Sequence, residues 1–401
     1  MIAADFPPCL SAGVQRTFHF SENLLQHGWQ PLILSAHPRI YSRLDENVVI
    51  SKAISNHIYR AFAADASVHF SIKGKYLGFM ENPDKIASWY HHGWRLGMAL
   101  MKAHNPDVIW STFPVSTAHR IALKLKLKTG KLWVADFRDP LHSHCEDNYK
   151  NITQKAKQID ASTIQYADLV VFATGKMRDL YHKAYPQIST KKMCVIENGY
   201  DENIFDKLVR NPSSPQVFRL LYSGGLYQYG RNPEPLFHAL SQLRTEKLFK
   251  KRRFELIFRG AGNGEEFQNI LSILDLQSVV EFLPSVSYRE SIQEMKDASA
   301  LLVLQGKTFN NQIPGKVYEY LATGNPIISL LGKGGATDKL LDSIPNAHVA
   351  DENDVIEIKT AIKKLLNEPG EVLNSYKQFG RQARGEELVC KLNDLLGSNQ
   401  D

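Results

Sequence analysis

The chain has 401 residues, 43% of them hydrophobic and 22% charged, with a formal net charge of +6. That length exceeds one comfortable core and suits two α/β domains, and the composition is that of an ordinary globular protein. No apolar run reaches the ~18 residues a membrane span needs, and the start has neither the basic n-region nor the cleavage site of a secretory signal.

Cys9, Cys145, Cys194 and Cys390 show no CxxC and no metal-type spacing near histidines. They read as reduced thiols of a cytoplasmic protein, not as a disulfide framework or a zinc site. The mild basicity fits a diphosphate, another polyanion or an anionic membrane face, and equally no special partner.

In chain order, Ile2-Ala3-Ala4-Asp5-Phe6 reads as the end of a first strand that is either short or begins a few residues upstream. Strands are predicted at Gln30–Ser35, Asp107–Ser111, Lys131–Asp136 and Asp168–Phe172. Helices are predicted between them at Val14–His27, Lys85–His104, Ser116–Thr129, Ile152–Tyr166 and Lys176–Tyr185. Gly28 stands just past the first helix, where a left-handed cap is expected.

The same grammar restarts with strand Phe218–Ser223, helix Pro233–Lys247, strand Arg253–Arg259, strand Ala300–Leu304, helix Lys316–Ala322 and strand Pro326–Leu331. Alternating strands and helices imply parallel sheets in an α/β fold. Arg210–Gln216, rich in Pro and Ser, is the best linker candidate, and a closing helix is predicted from Ser375 to Leu396 after Glu368-Pro-Gly370. The expected domains are 1–200, 201–372 and a C-terminal helical segment, 373–401, packing back on the first. Two such domains imply a cleft, with ligands at the C-terminal ends of the strands.

Several loops follow strands and carry chemistry. Pro314-Gly315 opens a helix that Gly324-Asn325-Pro326 closes. A helix start offers free N–H groups and a positive dipole end to an anion. Lys316 adds a point charge, and Glu319, one turn in, is placed to accept two hydrogen bonds from a ribose diol. A plain βα connection with solvated Lys316 and Glu319 fits the same spacing.

Gly13, in Asp5-Phe-Pro-Pro-Cys-Leu-Ser-Ala-Gly-Val-Gln-Arg16, lets backbone come close beside a helix start, or is an ordinary βα turn. Arg138, between Asp136 and Asp139, is a cleft-edge cation or part of a structural ion cluster. His119 follows another strand end and is a site residue or a packed one. Gly260-Ala-Gly-Asn-Gly264 follows a strand but is not the dinucleotide G-x-G-x-x-G.

Ile313-Pro-Gly-Lys-Val-Tyr-Glu-Tyr-Leu-Ala-Thr-Gly-Asn-Pro-Ile327 closely resembles the donor-site motif of family 4 ("group 1") GT-B glycosyltransferases, in the subgroup whose helix begins I-P-G-K. In that family two glutamates separated by seven residues mark the site, the second of them binding the nucleotide ribose. Glu319 matches the second, and Asn311 stands where the first would be, which leaves a contact to the donor sugar open. Asp5–Arg16 resembles the glycine loop near donor diphosphate and acceptor, and Ala135-Asp-Phe-Arg-Asp-Pro140 resembles D-F-R-D-P-W with Leu141 for Trp. His119, in Ser111-Thr-Phe-Pro-Val-Ser-Thr-Ala-His119, matches a histidine near the reacting sugar.

Ile196-Glu-Asn-Gly-Tyr-Asp201 resembles the turn joining the domains. Tyr222-Ser-Gly-Gly-Leu-Tyr-Gln-Tyr-Gly-Arg231 resembles the loop whose glycine turn, here at Gly225, precedes a diphosphate-clamping cation, here Arg231. Gly260 and Gly262 fall in the loop beside the nucleobase. The resemblance therefore implies a GT-B fold of two Rossmann-like domains facing a cleft, with His119, Arg138 and Asp139 near the reaction. Gly13, Gly225, Arg231, Gly260, Gly262, Asn311, Pro314, Gly315, Lys316 and Glu319 would lie about the donor.

The activity it implies is a retaining, metal-independent, hexosyltransferase-type transfer from a nucleotide-diphosphate sugar, a UDP-sugar by preference. The acceptor would be a glycan or lipid-linked sugar of bacterial cell-surface polysaccharide synthesis, with no nucleic-acid partner and no resident cofactor. The basic, aromatic stretch His69-Phe-Ser-Ile-Lys-Gly-Lys-Tyr-Leu-Gly-Phe-Met80 reads as peripheral membrane contact or as a loop packed on its own domain. Two rival readings stay open: a nucleotide-sugar epimerase on the same fold, and a catalytically silent GT-B partner subunit.

Overall fold

The computed structural model describes the chain except residues 42, 46–47, 72–76, 78–81, 141–153, 213, 227–229, 251, 369–371, 373–376 and 399–401. The chain divides into two units, Met1–Asn198 with Arg381–Asp401, and Gly199–Gly380.

In the first unit β1 (Ile33–Ala36) pairs in parallel with β2 (Ile58–Ala61). β3 (Val108–Phe113), β4 (Leu132–Phe137), β5 (Leu169–Phe172) and β6 (Met193–Val195) form a parallel four-stranded sheet in that order. Ile2 joins the two groups, bridging Leu34 on one side and Ser111 on the other. Its N–H donates to Trp110 O at 2.7 Å, and Leu34 N–H donates to Met1 O at 2.8 Å. All six residues of β4 and all four of β5 are buried, as expected of parallel strands covered by helices on both faces. Ile58–Ala61, half-exposed along most of its length, and the three-residue β6 carry too little apolar pattern to be predicted.

In the second unit β7 (Val217–Ser223), β8 (Arg253–Arg259), β9 (Val280–Leu283), β10 (Ala300–Gln305), β11 (Ile327–Leu331) and β12 (Ala347–Asp351) form one parallel sheet. Its order is β12-β11-β10-β7-β8-β9. The chain winds outward one way from β7 and the other way from β10, so connections leave in opposite directions at the β7/β10 pair. In open α/β sheets that switch point leaves a crevice at the C-terminal strand ends, where ligands bind.

Arg210–Gln216 is not the passage between units. The chain crosses at Asn198–Gly199, and Arg210 Nε donates to Lys296 O at 3.0 Å while Asn211 N–H donates to Asp297 Oδ1 at 2.6 Å, both within the second unit. The closing helix, Arg381–Gly397, belongs to the first unit and buries Leu388, Val389 and Leu392 with Phe20 and Leu24 of helix Ala12–Gln26. Gly28 does adopt the left-handed conformation, with φ +81°. No helix among the described residues is long and apolar enough to cross a membrane.

The two helices touch at Gly385, where a Cβ would fall 2.3 Å from Asn23 Cγ and 2.4 Å from Asn23 Cβ. Gly385→Val should therefore lower stability by about 1–3 kcal/mol, through overpacking. A urea midpoint equal to that of the parent protein would contradict this contact.

Candidate functional site

At the end of β7 the chain turns through Gly224, at φ +123°. The turn is held from several sides. Tyr222 Oη donates to Gly225 O at 2.8 Å, Arg231 Nη1 donates to the same oxygen at 3.0 Å, and Ser223 N–H donates to Tyr320 Oη at 3.0 Å. Gly230 N–Cα–C is tied to the neighbouring connection, since Gly306 N–H donates to Gly230 O at 2.6 Å. Arg231 then stands 5.9 Å above the Phe309 ring. This fastens its guanidinium between the connections leaving β7 and β10.

The β10 connection is braced by polar groups. Gln305 Nε2 donates to Phe309 O at 2.7 Å and to Gln312 O at 2.9 Å, and Thr337 Oγ1 donates to Gln305 Oε1 at 2.6 Å. Asn311 lies half-buried in this connection, and the buried Ile313 anchors its end. Pro314 is the N-cap of the nine-residue helix Gly315–Thr323, at φ −58° and ψ 139°. Proline brings no side-chain acceptor, so no side chain caps the first turn, and Val317 N–H turns back to Pro314 O at 2.9 Å. Gly315 is exposed and Lys316 and Glu319 are partly buried.

Lys316 Nζ donates to Ser223 O at 3.2 Å and lies 3.7 Å from the centre of the Tyr222 ring. Both partners are neutral, and among the described residues Lys316 has no carboxylate at ion-pair distance. Burial lowers its pKa well below the usual lysine value, with Arg231 adding to that and Glu319 opposing it. The arrangement is a cation short of negative charge, beside a second cation and a helix start, at the switch point of the sheet.

Glu319 Oε1 accepts from Tyr288 Oη at 2.7 Å. Tyr288 begins helix Tyr288–Asp297, whose N-cap Ser287 and Glu290 form a capping box. The loop after β8 stands next to that turn. Gly260, at φ +72°, donates its N–H to Leu283 O at 2.9 Å, and a Cβ there would fall 3.1 Å from Ser285 Oγ. Gly262, at φ +93°, has open space where a Cβ would be. Gly225, Arg231, Pro314, Gly315, Lys316 and Glu319 thus gather around the β7 and β10 ends, and Gly260 and Gly262 lie on the β8 side, reached through Tyr288. Tyr288 carries no sequence signal: it is one aromatic in a polar helix start.

The first unit holds a separate cluster. Arg16, 7% exposed, donates through Nη2 to Asp136 Oδ1 at 2.7 Å and to Ile196 O at 2.8 Å, and through Nη1 to Glu197 O at 2.9 Å. Thr112 Oγ1 donates to Asp136 Oδ2 at 2.8 Å. The Asp136 carboxylate is therefore bonded to Arg16, a residue not singled out by the sequence reading. Arg138 instead donates through Nε to Phe113 O at 2.6 Å and through Nη1 to Gly13 O. Burial lowers its pKa, and Asp139, Asp136 and Asp5 oppose that. A Cβ on Gly13 would fall 2.7 Å from Arg138 Nη1 and 2.9 Å from Asp5 Oδ2, so a larger residue there would have to displace this cation and its acidic neighbour.

His119 is 1% exposed and packs against Phe137, ring centres 4.8 Å apart. Its Nδ1 lies 2.8 Å from Ser111 Oγ, which accepts from Trp133 Nε1 at 2.8 Å. The other ring nitrogen, Nε2, is buried and has no hydrogen-bond partner among the described residues. Burial lowers the His119 pKa to about 3, with Asp136 opposing. Among the described residues no group of three or more His, Cys, Asp or Glu is placed to hold a metal ion.

Residues 204–386 match the family model for glycosyl transferases group 1. The match takes in the whole second sheet, including the Pro314-Gly315 helix start. Three solved structures share the architecture. Sucrose-phosphate synthase from Thermosynechococcus elongatus superposes with a TM-score of 0.67 at 12% identity, over 94% of this chain and 92% of that one. The lipopolysaccharide outer core galactosyltransferase WaaB, in its apo form, gives 0.59 at 16% identity over 100% of both chains. A putative UDP-N-acetylglucosamine 2-epimerase from Listeria monocytogenes gives 0.58 at 11% identity, over 96% and 93%. The fold is thus α/β with parallel sheets in two domains, of the kind found in GT-B glycosyltransferases. No curated protein matches the sequence.

The His119 environment makes stability pH-dependent. Its folded pKa of about 3 lies below the ordinary 6.5, so its contribution is fully present above pH 6.5 and is lost as pH falls toward 3. In urea titrations the His119→Leu variant should lose stability more slowly over that window, by up to about 1.4 kcal/mol per pH unit. Parallel pH profiles for the two proteins would show that the imidazole is not held neutral.

Proposed function

We propose that this protein is a glycosyltransferase that moves a sugar from a nucleoside-diphosphate sugar, in the first instance a UDP-sugar, to a glycan or lipid-linked acceptor. One observation carries the reading: the Lys316 ammonium, flanked by Arg231 and a helix start without a side-chain cap, stands without a carboxylate at the sheet's switch point. A diphosphate supplies the missing negative charge. Arg231 suits phosphate oxygens because its planar fork makes two parallel bonds, while Lys316 acts as a point charge.

On this reading Glu319, oriented by Tyr288, accepts from the two ribose hydroxyls. Gly260 and Gly262 leave room for the base beside the strand ends. As the sugar–phosphate bond breaks, charge grows on the departing diphosphate, and fixed cations aimed at it stabilise that state more than the ground state. The two cations and the helix start meet this need, so the reaction is proposed to run without a metal. The acceptor hydroxyl attacks the face the diphosphate leaves, with retention, and a phosphate oxygen takes its proton. No protein nucleophile is required. The cluster of Gly13, Arg138, Asp139 and His119 in the first unit is proposed to serve the reacting sugar and the acceptor, with the buried Nε2 of His119 as a hydrogen-bonding group. The pathway proposed is cell-surface polysaccharide synthesis.

Incubation with a panel of nucleotide sugars separates this from its rivals. Slow release of nucleoside diphosphate is expected. A changed sugar on an intact diphosphate would instead mark an epimerase, and tight binding without turnover would mark a silent binding subunit. For the site itself, Lys316→Ala and Arg231→Ala should each weaken nucleoside-diphosphate binding by about 1.5–3 kcal/mol, the worth of one charge-assisted contact. Unchanged calorimetric affinity in both variants would overturn the assignment.

A further inference from the structure

The start of helix Ala12–Gln26 breaks two local preferences at once. Its N-cap residue, Ser11, is a good capping type but makes no side-chain cap. The Ser11 hydroxyl donates instead to Asp5 Oδ2 at 2.9 Å. The second helical residue is Gly13, where alanine would favour the helix more. Local rules broken together at one place mark positions held for another purpose.

Asp5 is fixed from behind. Ala4 O, just before it, accepts from Ser35 Oγ at 2.9 Å and from Tyr41 Oη, and Arg60 Nη2 donates to Pro7 O just after it. Across Gly13 stands Arg138, tied through Nε and Nη1 to the carbonyls of Phe113 and Gly13. The point where a Gly13 Cβ would stand is 2.7 Å from Arg138 Nη1, 3.0 Å from Arg138 Nη2 and 2.9 Å from Asp5 Oδ2. The carboxylate and the guanidinium thus face each other over the glycine without forming a direct ion pair. Among the described residues neither Asp5 Oδ1 nor Arg138 Nη2 has a hydrogen-bond partner. Asp5, Ser11, Gly13 and Arg138 are all half-buried.

We propose that Asp5 and Arg138 are a specificity pair that reads the hydroxyls of an uncharged sugar. Asp5 accepts a hydrogen bond from a sugar hydroxyl, and Arg138 Nη2 donates to the oxygen of the same hydroxyl or its neighbour. This rests on the glycosyltransferase reading and adds the class of sugar. A carboxylate only accepts and a guanidinium only donates, whereas a hydroxyl does both, so one hydroxyl oxygen bridges a pair set too far apart to meet directly. Gly13 keeps that bridge open and Ser11 orients the carboxylate. The charges select against an acid. Arg16, Arg60 and Arg138 gather here with Asp5, Asp136 and Asp139, three guanidiniums with three carboxylates, so no net positive charge remains for a phosphate or a uronate. That is the reverse of the surroundings of Lys316. The pair owes nothing to the stretch His69–Met80, most of which falls outside the described residues.

The hydroxyl belongs either to the transferred sugar or to the acceptor, and the test has an arm for each. Calorimetry on the full chain measures UDP, UDP-glucose and UDP-galactose. Saturation-transfer NMR in the presence of UDP measures the methyl glycosides of glucose, galactose and mannose, with glucuronate and glucose 6-phosphate as charged controls. Asp5→Asn should weaken at least one sugar by ~5-fold or more, since a carboxamide cannot replace a charge-assisted bond. UDP itself, held by other residues, should change by less than ~2-fold. A loss confined to a UDP-sugar supports the pair and assigns it to the transferred sugar, and a loss among the free glycosides supports it and assigns it to the acceptor. Gly13→Ala, which fills the gap and keeps both charges, should lose the same sugar, and it carries the comparison if Asp5→Asn unfolds. Loss of glycoside binding in both variants, in a parent that does not bind UDP, would sink the donor reading and leave the pair standing. Sugar binding equal to the parent's in both variants, no sugar bound by the parent, tighter binding of glucuronate or glucose 6-phosphate than of the glycosides, or an equal loss of UDP in Asp5→Asn would each overturn the proposal.

Discussion

Lys316 meets the rest of the second unit through a carbonyl oxygen and the face of an aromatic ring, and neither brings a full negative charge. Taking an ammonium out of water costs several kcal/mol unless something replaces its hydration. The surroundings replace only part of it, and Arg231 raises the cost further. Much of the local architecture holds this position. Tyr320 fixes Ser223, Tyr222 fixes Gly225, and Gln305 with Thr337 shapes the connection that ends in Pro314. Two cations and a helix start without a side-chain cap, brought together at one point, are costly without an anion and useful with one. Preorganised charge of this kind needs no rearrangement when a diphosphate arrives or departs.

The first unit solves the opposite problem. Arg16 and Asp136 are both buried, and each finds full compensation, Arg16 in the carboxylate and two backbone carbonyls, Asp136 in Arg16 and Thr112. Such a pair fixes geometry more than it adds stability, and removing one partner leaves a buried charge unanswered. It ties helix Ala12–Gln26 to the end of β4 and to the segment after β6. With Asp136 thus engaged, Arg138 is turned toward the backbone oxygens of Phe113 and Gly13. The residue that sequence spacing set among its acidic neighbours is held by carbonyls.

The long, fully buried strands could be read from sequence because burial on both faces demands unbroken apolar runs, as in Leu132–Phe137 and Ala300–Gln305. Ile58–Ala61 and Val280–Leu283 could not, since short edge or half-exposed strands carry polar residues that resemble loop. The Pro/Ser-rich Arg210–Gln216 misled because turn composition marks a change of direction, not a domain boundary. At the site, Pro314, Gly315 and Lys316 were legible because a strand end, a helix opener and a cation follow one another in sequence. Arg16 and Tyr288 were not, because their roles arise only when Asp136, 120 residues away, and Glu319, 31 residues away, are brought to them by the sheets.

The proposed account turns on whether the charge around Lys316 answers a diphosphate. Isothermal titration calorimetry with uridine, UMP, UDP and a UDP-sugar measures this most directly. Affinity should rise steeply from nucleoside to diphosphate and fall as salt increases, since the phosphates and not the base would supply the missing charge. Equal affinity for uridine and UDP, or no heat with any of the four or with their guanosine counterparts, would contradict it.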